Sequence, residues 1–159
     1  MRNWKAVAAP RSLALLSLVT ALGAGALWAC GSSSSSNKNL PPGFYITIAS
    51  LRFSPLNLDV PPGATVTILN DDSMDHDVTS EATSGAFTPG AVAGVSFETG
   101  PFTGQRSFTI PSTAPEGTVI PYFCMIHTST MATPNATITV HTAATPTMPA
   151  GGGGGGGGY

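Results

Sequence analysis

The stretch Tyr122-Phe123-Cys124-Met125-Ile126-His127-Thr128-Ser129-Thr130-Met131 places a thiol, an imidazole and a thioether in the pattern Cys-x2-His-x3-Met. These are soft donors, matched to an ion that cycles between Cu(I) and Cu(II). Zinc usually takes four strong ligands in a tetrahedron, and no second Cys is at hand to complete one. A trigonal copper centre takes one thiolate and two imidazoles, with a weak thioether beyond them, so one more His must come from elsewhere. Only His76 and His141 remain. His76 follows the turn-forming run Asn70-Asp71-Asp72-Ser73 and opens a β-rich segment, which places it at a strand end where loops converge. His141 closes the last β-rich run beside a Thr/Pro/Gly-rich tail and reads as a solvated surface residue. The expected metal residues are therefore His76, Cys124, His127 and Met131. Met74 and Met125 are rival thioethers. Met125 adjoins Cys124 and is expected to point away, whereas Met74 lies two residues before His76 and competes more seriously.

A site of this kind needs a stiff frame, and the rest of the chain reads as one. Of 159 residues only 9% are charged, while Gly and Pro number 19 and 14, a balance that favours short strands and turns over charge-patterned helices. Strands are expected over residues 44–49, 56–60, 65–69, 76–80, 95–99, 106–110, 119–124 and 136–141. Thr65-Val66-Thr67-Ile68-Leu69 and Ala136-Thr137-Ile138-Thr139-Val140 alternate with period two, as half-buried strands do. Pro61-Pro62-Gly63, Thr88-Pro89-Gly90, Gly100-Pro101 and Ala114-Pro115-Glu116-Gly117 punctuate them. Strand signals recurring this often point to an all-β, two-sheet sandwich. Residues 81–93 carry no clear period and leave room for a short helical turn.

Across the expected domain the sequence resembles the cupredoxins, in particular the plastocyanin, pseudoazurin and amicyanin group. Phe53-Ser54-Pro55 and the run from Leu58 to Asp72 look like the opening strands of that family. His76-Asp77-Val78 matches its first-His position, and Tyr122-Phe123-Cys124, His127 and Met131 match its ligand loop before Ile138-Thr139-Val140. The resemblance implies a Greek-key sandwich of about eight strands with one copper ion near one end. It implies His76, Cys124 and His127 as equatorial ligands, Met131 as the axial one, and single-electron transfer rather than catalysis. Three departures stand out: a ligand-loop spacing between the family's shorter and longer forms, Ile126 where Pro often precedes the second His, and Asp77 where Asn often follows the first. An amide both donates and accepts hydrogen bonds and can brace the Cys loop, whereas an ionised carboxylate only accepts. A copper-handling role, sequestering or delivering the ion, is the alternative on the same scaffold. Ile126, with Phe87 or Phe102, is expected to form an apolar docking patch beside His127, although each Phe reads equally well as ordinary core.

Both ends look unlike folded protein. Residues 1–29 carry Arg2, Lys5 and Arg11, then an apolar run, then Leu27-Trp28-Ala29-Cys30, the order of an exported signal segment. The last four resemble a bacterial lipobox, which implies acylation at Cys30 and a periplasmic or cell-surface protein anchored to a membrane. An uncleaved spanning helix is the alternative, but the run is short for a bilayer. With Cys30 lipidated, Cys124 has no disulfide partner, and an unpaired thiol in an oxidising compartment calls for a use. Residues 30–42 form a Ser-rich tether, residues 43–141 the folded domain, and residues 142–159 a disordered tail ending in eight Gly and Tyr159. Beyond residue 29, three basic residues face eight acidic ones, a formal charge of −5. That balance excludes a phosphate-binding face and hence nucleic acid. The expected partners of this monomer are redox proteins, such as a cytochrome or a membrane redox complex. Asp71, Asp72, Asp75 and Asp77 read first as turn formers and, in a sharper reading, as an acidic rim for a cationic partner.

Overall fold

The structure, a computed structural model, describes residues 40–131 and 135–149. The signal segment, Cys30 and most of the tether lie outside the described residues, as do residues 150–159. Eight strands form two four-stranded sheets: β1 Phe44–Ala49, β2 Arg52–Ser54, β3 Asn57–Val60, β4 Thr65–Asn70, β5 Thr79–Ser80, β6 Gly104–Thr109, β7 Val119–Phe123 and β8 Ala136–Val140. One sheet runs β2-β1-β4-β6 and the other β3-β8-β7-β5. Both are mixed, because the chain crosses to the opposite sheet before returning: β1 lies parallel to β4 and β3 parallel to β8. No helix occurs among the described residues, so residues 81–93 hold no helical turn.

Period-two patterning explains the pairing. In β8 the residues Ala136, Ile138 and Val140 are buried while Thr137 and Thr139 are half-buried, and β3 alternates likewise. Their inward faces meet Ile46, Ile48, Val66 and Ile68 of the other sheet in a single apolar core. Aromatic rings thicken that core: Phe97 stacks on Phe108 at 4.0 Å, and Phe53 meets Tyr122 edge-on at 5.0 Å.

Three expected features differ. The expected strand over residues 76–80 is regular only at β5, and residues 95–99 form isolated bridges rather than a strand. Side-chain hydroxyls have taken ladder positions there: Val78 N–H donates to Thr99 Oγ1 and Phe97 N–H to Ser80 Oγ, which breaks the regular backbone exchange. β2 escapes the sequence reading because three residues are too few to show a period. The tail expected from residue 142 is described as far as residue 149, and Gly43 and Thr147 exchange two backbone hydrogen bonds of 2.9 Å. A composition without apolar periodicity still pairs when its backbone runs beside an open strand start.

Candidate metal centre

The turn after β4 delivers the first ligand. Asn70 Nδ2 donates to the carbonyls of Met74 and Phe102, each at 2.9 Å, and its Oδ1 accepts from Asp72 N–H. The backbone of His76 is clamped in turn, exchanging hydrogen bonds of 3.1 and 2.9 Å with Phe102. Asp72 Oδ2 lies 3.0 Å from His76 Nε2, and the same carboxylate accepts N–H groups from Ser50 and Leu51 at 2.7 and 2.9 Å. Partial burial pushes the Asp72 carboxyl up, but the N–H groups of Leu51 and Ser50 and the His76 ring outweigh it and hold it below the ordinary carboxylate range.

The other ligands come from the loop after β7. Cys124 is buried at the strand end, and the loop then turns on itself: Met131 N–H donates to the His127 carbonyl at 2.8 Å. Asp77 ties this loop to the first-ligand segment, Oδ1 accepting from Met125 N–H at 2.7 Å and Oδ2 from the Thr79 hydroxyl at 2.8 Å. The carboxylate thus performs the bracing that an amide was expected to be needed for, because both groups it meets are donors. Burial pushes the Cys124 thiol up to about 11, with N–H groups of Asp77 and Ile126 opposing and the Asp77 carboxylate adding to the rise.

His76, Cys124 and His127 converge. Cys124 Sγ lies 3.7 Å from His76 Nδ1 and 3.6 Å from His127 Nδ1, and the two Nδ1 atoms are 3.1 Å apart. The point equidistant from corners so spaced lies about 2.0 Å from each, the bond length of a first-row metal to imidazole and slightly short of that to sulfur. One thiolate, two imidazoles and this spacing fit copper. His76 is 0% exposed, His127 is half-buried, and Met131 is 6% exposed against 44% for both Met74 and Met125. His141 lies apart, exposed, with Nδ1 on the Glu116 carboxylate at 2.6 Å.

A solved purple cupredoxin from Nitrosopumilus maritimus is 30% identical to this chain, covering 61% of it and 98% of the solved protein, with a TM-score of 0.45. This chain is a cupredoxin. The shared residues and the ligand set decide the family rather than the superposition. An oxidised variant of amicyanin is 18% identical over 67% of this cupredoxin and 90% of its own chain, at a TM-score of 0.46. A copper-containing nitrite reductase from Thermus scotoductus is 21% identical over 77% of this chain but only 25% of the enzyme, at 0.45. No family model matches the sequence, and no curated protein does.

The structure decides between the two readings of the Phe residues, and one residue was missed. Phe102 belongs to the buried core, not to a docking patch, because its backbone bridges His76 and draws the ring inward. Phe87 is half-buried, its ring 5.8 Å from that of Phe123, while Ile126 is exposed as expected. The sequence reading offered Asp72 as a turn former or as part of an acidic rim and missed its place beside His76 Nε2, although its position four residues before His76 was legible. Of the four clustered Asp, Asp72 and Asp77 face inward to structural hydrogen bonds and Asp75 is exposed.

Proposed function

We propose that this cupredoxin carries single electrons between extracytoplasmic redox proteins through one copper ion held by His76, Cys124 and His127, with Met131 as a weak axial ligand. The observation that carries the reading is the triangle of Sγ and two Nδ1 atoms, sized for one metal ion and walled by a braced sandwich end. Copper supplies a one-electron couple whose potential the axial donor and the hydrogen bonds around the Cys sulfur adjust. The protein supplies rigidity: Asp77, Asn70 and the Phe102 backbone hold the ligand segments, so little has to rearrange between oxidation states. Cys124 must give up its proton on loading, because burial keeps the thiol protonated at neutral pH. His127 is the least buried of the three, and beside it Ile126 and Met125 present an apolar surface on which a partner can dock. Met131 is favoured over Met74 because it is buried where Met74 is exposed, and because it closes the loop that carries Cys124 and His127, its N–H on the His127 carbonyl.

The remaining histidine, His141, is engaged by Glu116 away from the site, which supports a carrier over an enzyme with further copper centres. Acylation at Cys30 would hold the carrier at a bacterial membrane, since several acyl chains give stable anchoring. Intact mass of the membrane fraction tests that directly: an unmodified Cys30 refutes it. For the central reading, protein loaded with Cu(II) should show an intense visible thiolate-to-copper band and a reversible one-electron wave. A colourless Cu(II) form overturns the reading. A band with slow electron exchange and ready release of copper to an acceptor would favour copper handling instead.

A further inference from the structure

We propose that Asp72 is a positioning residue for the copper site: its carboxylate selects the His76 tautomer that carries hydrogen on Nε2, leaving Nδ1 bare toward Cys124 and His127. The inference rests on the copper reading above and adds to it what chooses the ligating nitrogen. A neutral imidazole donates from one nitrogen and accepts at the other, and the partner of one decides the state of its mate. His76 is 0% exposed, so water cannot make that choice, whereas Asp72 Oδ2 stands 3.0 Å from Nε2. A carboxylate accepts, so Nε2 donates and Nδ1 keeps its lone pair. Metal-binding histidines commonly donate their other ring N–H to a carboxylate in this way.

The carboxylate is itself aimed. Asp72 N–H is held by Asn70 Oδ1, and its two oxygens accept the N–H groups of Ser50 and Leu51 in the turn between β1 and β2. Ser50 and Leu51 have φ of 52° and 60°, a left-handed conformation that side chains of either type rarely adopt. A turn that unusual, carried by two non-glycine residues, presents adjacent N–H groups in one direction. The same carboxylate therefore ties the β1–β2 turn to the first metal ligand.

A purely structural role, capping the turn, would produce the same hydrogen bonds, so the test separates the two. Asp72→Ala takes away the acceptor that faces Nε2 and leaves a hydrogen there unpaired in a buried place, which releases the ring to carry its hydrogen on Nδ1. Nitrogen NMR of the copper-free protein, at a pH where the rings are neutral, should show Nε2–H at His76 in the native chain and a shift toward Nδ1–H in Asp72→Ala. Affinity for Cu(I), by competition with a chromophoric chelator, should fall about 10–100-fold. Ser50→Gly with Leu51→Gly lets the turn adopt its conformation without a cap. Added to Asp72→Ala, that pair should restore the denaturation midpoint while tautomer and affinity stay altered. The proposal is overturned if Asp72→Ala leaves His76 protonated on Nε2, or if the glycine pair restores tautomer and affinity together with stability. Failure of the copper reading would look different: a colourless Cu(II) form of the native chain, with Asp72 still setting the tautomer.

Discussion

The segment that carries His76 and the loop that carries Cys124, His127 and Met131 meet at one end of the sandwich, and they are held by different means. His76 is bound through its N–H and carbonyl to Phe102 and through Nε2 to Asp72, and is fully buried. The Cys124–His127 loop closes mainly on itself, with His127 N–H on the Cys124 carbonyl and Met131 N–H on the His127 carbonyl, and leaves Met125 and Ile126 exposed. Its tie to the His76 segment is Asp77. One half of the site is a fixed wall and the other a short loop pinned to it. A carrier gains from that division, since the fixed half resists rearrangement while the loop half keeps an imidazole near the surface for exchange.

Breaking the loop half at its donor should have the largest effect. Cys124→Ser removes the thiolate and should abolish the visible band of the Cu(II) protein altogether, measured by absorption after copper loading. A variant that kept the band would show that the sulfur is not a ligand and that the two halves do not share a metal.

Severing the tie comes next. Asp77→Ala removes one buried and one part-buried hydrogen bond to the same carboxylate and should destabilise the copper-free domain by about 3 kcal/mol in urea unfolding. If the loop half needs no pinning, the loss will stay below about 1 kcal/mol and the contrast between the halves will be wrong.

Met131→Gln sharpens the comparison by asking whether the loop also supplies the axial donor. Copper and colour should remain, because three ligands do, while a harder oxygen donor lowers the potential. A fall on the order of 59 mV is a tenfold change for a one-electron couple and is easily seen by voltammetry. Met74→Gln, in the His76 segment, should change nothing. The reverse result would move the axial donor to the fixed half.

The smallest effect is a pH dependence. Burial pushes the Cys124 thiol up to about 11 in the fold from an ordinary 9.0, so the folded chain keeps a proton that the unfolded chain releases. The contribution of Cys124 to the stability of the copper-free protein should be level below about pH 9 and fall as pH rises from 9 toward 11. Melting temperatures across that range should show the decline, and Cys124→Ser should lose this component of it. An identical decline in the variant would place the titrating group elsewhere.

How legible each part was follows from how local its cause is. Strands β4 and β8 were readable because apolar and polar residues alternate along the chain itself. The ligands Cys124, His127 and His76 were readable because few side chains offer soft donors, so residue type and spacing already restrict the chemistry. Residues 95–99 looked like a strand and were not one, since Ser80 and Thr99, distant in sequence, supply the bonds that interrupt it. Phe102 read equally as docking surface or core, and its pairing with His76 through the backbone goes with a place in the core.

What the amino-acid sequence determined by itself was the all-β class and the identity of the copper-fitting residues, since periodicity and donor chemistry are properties of short stretches. Only the tertiary structure decided which nitrogen of each imidazole faces the sulfur, that Asp72 and Asp77 turn inward while Asp75 stays in solvent, and that Met131 is buried where Met74 is not. The contacts of Asp72 with Leu51, Asp77 with Met125 and His76 with His127 join residues 21 to 51 apart along the chain, and no local pattern records a contact between segments that meet only when two sheets close on one another.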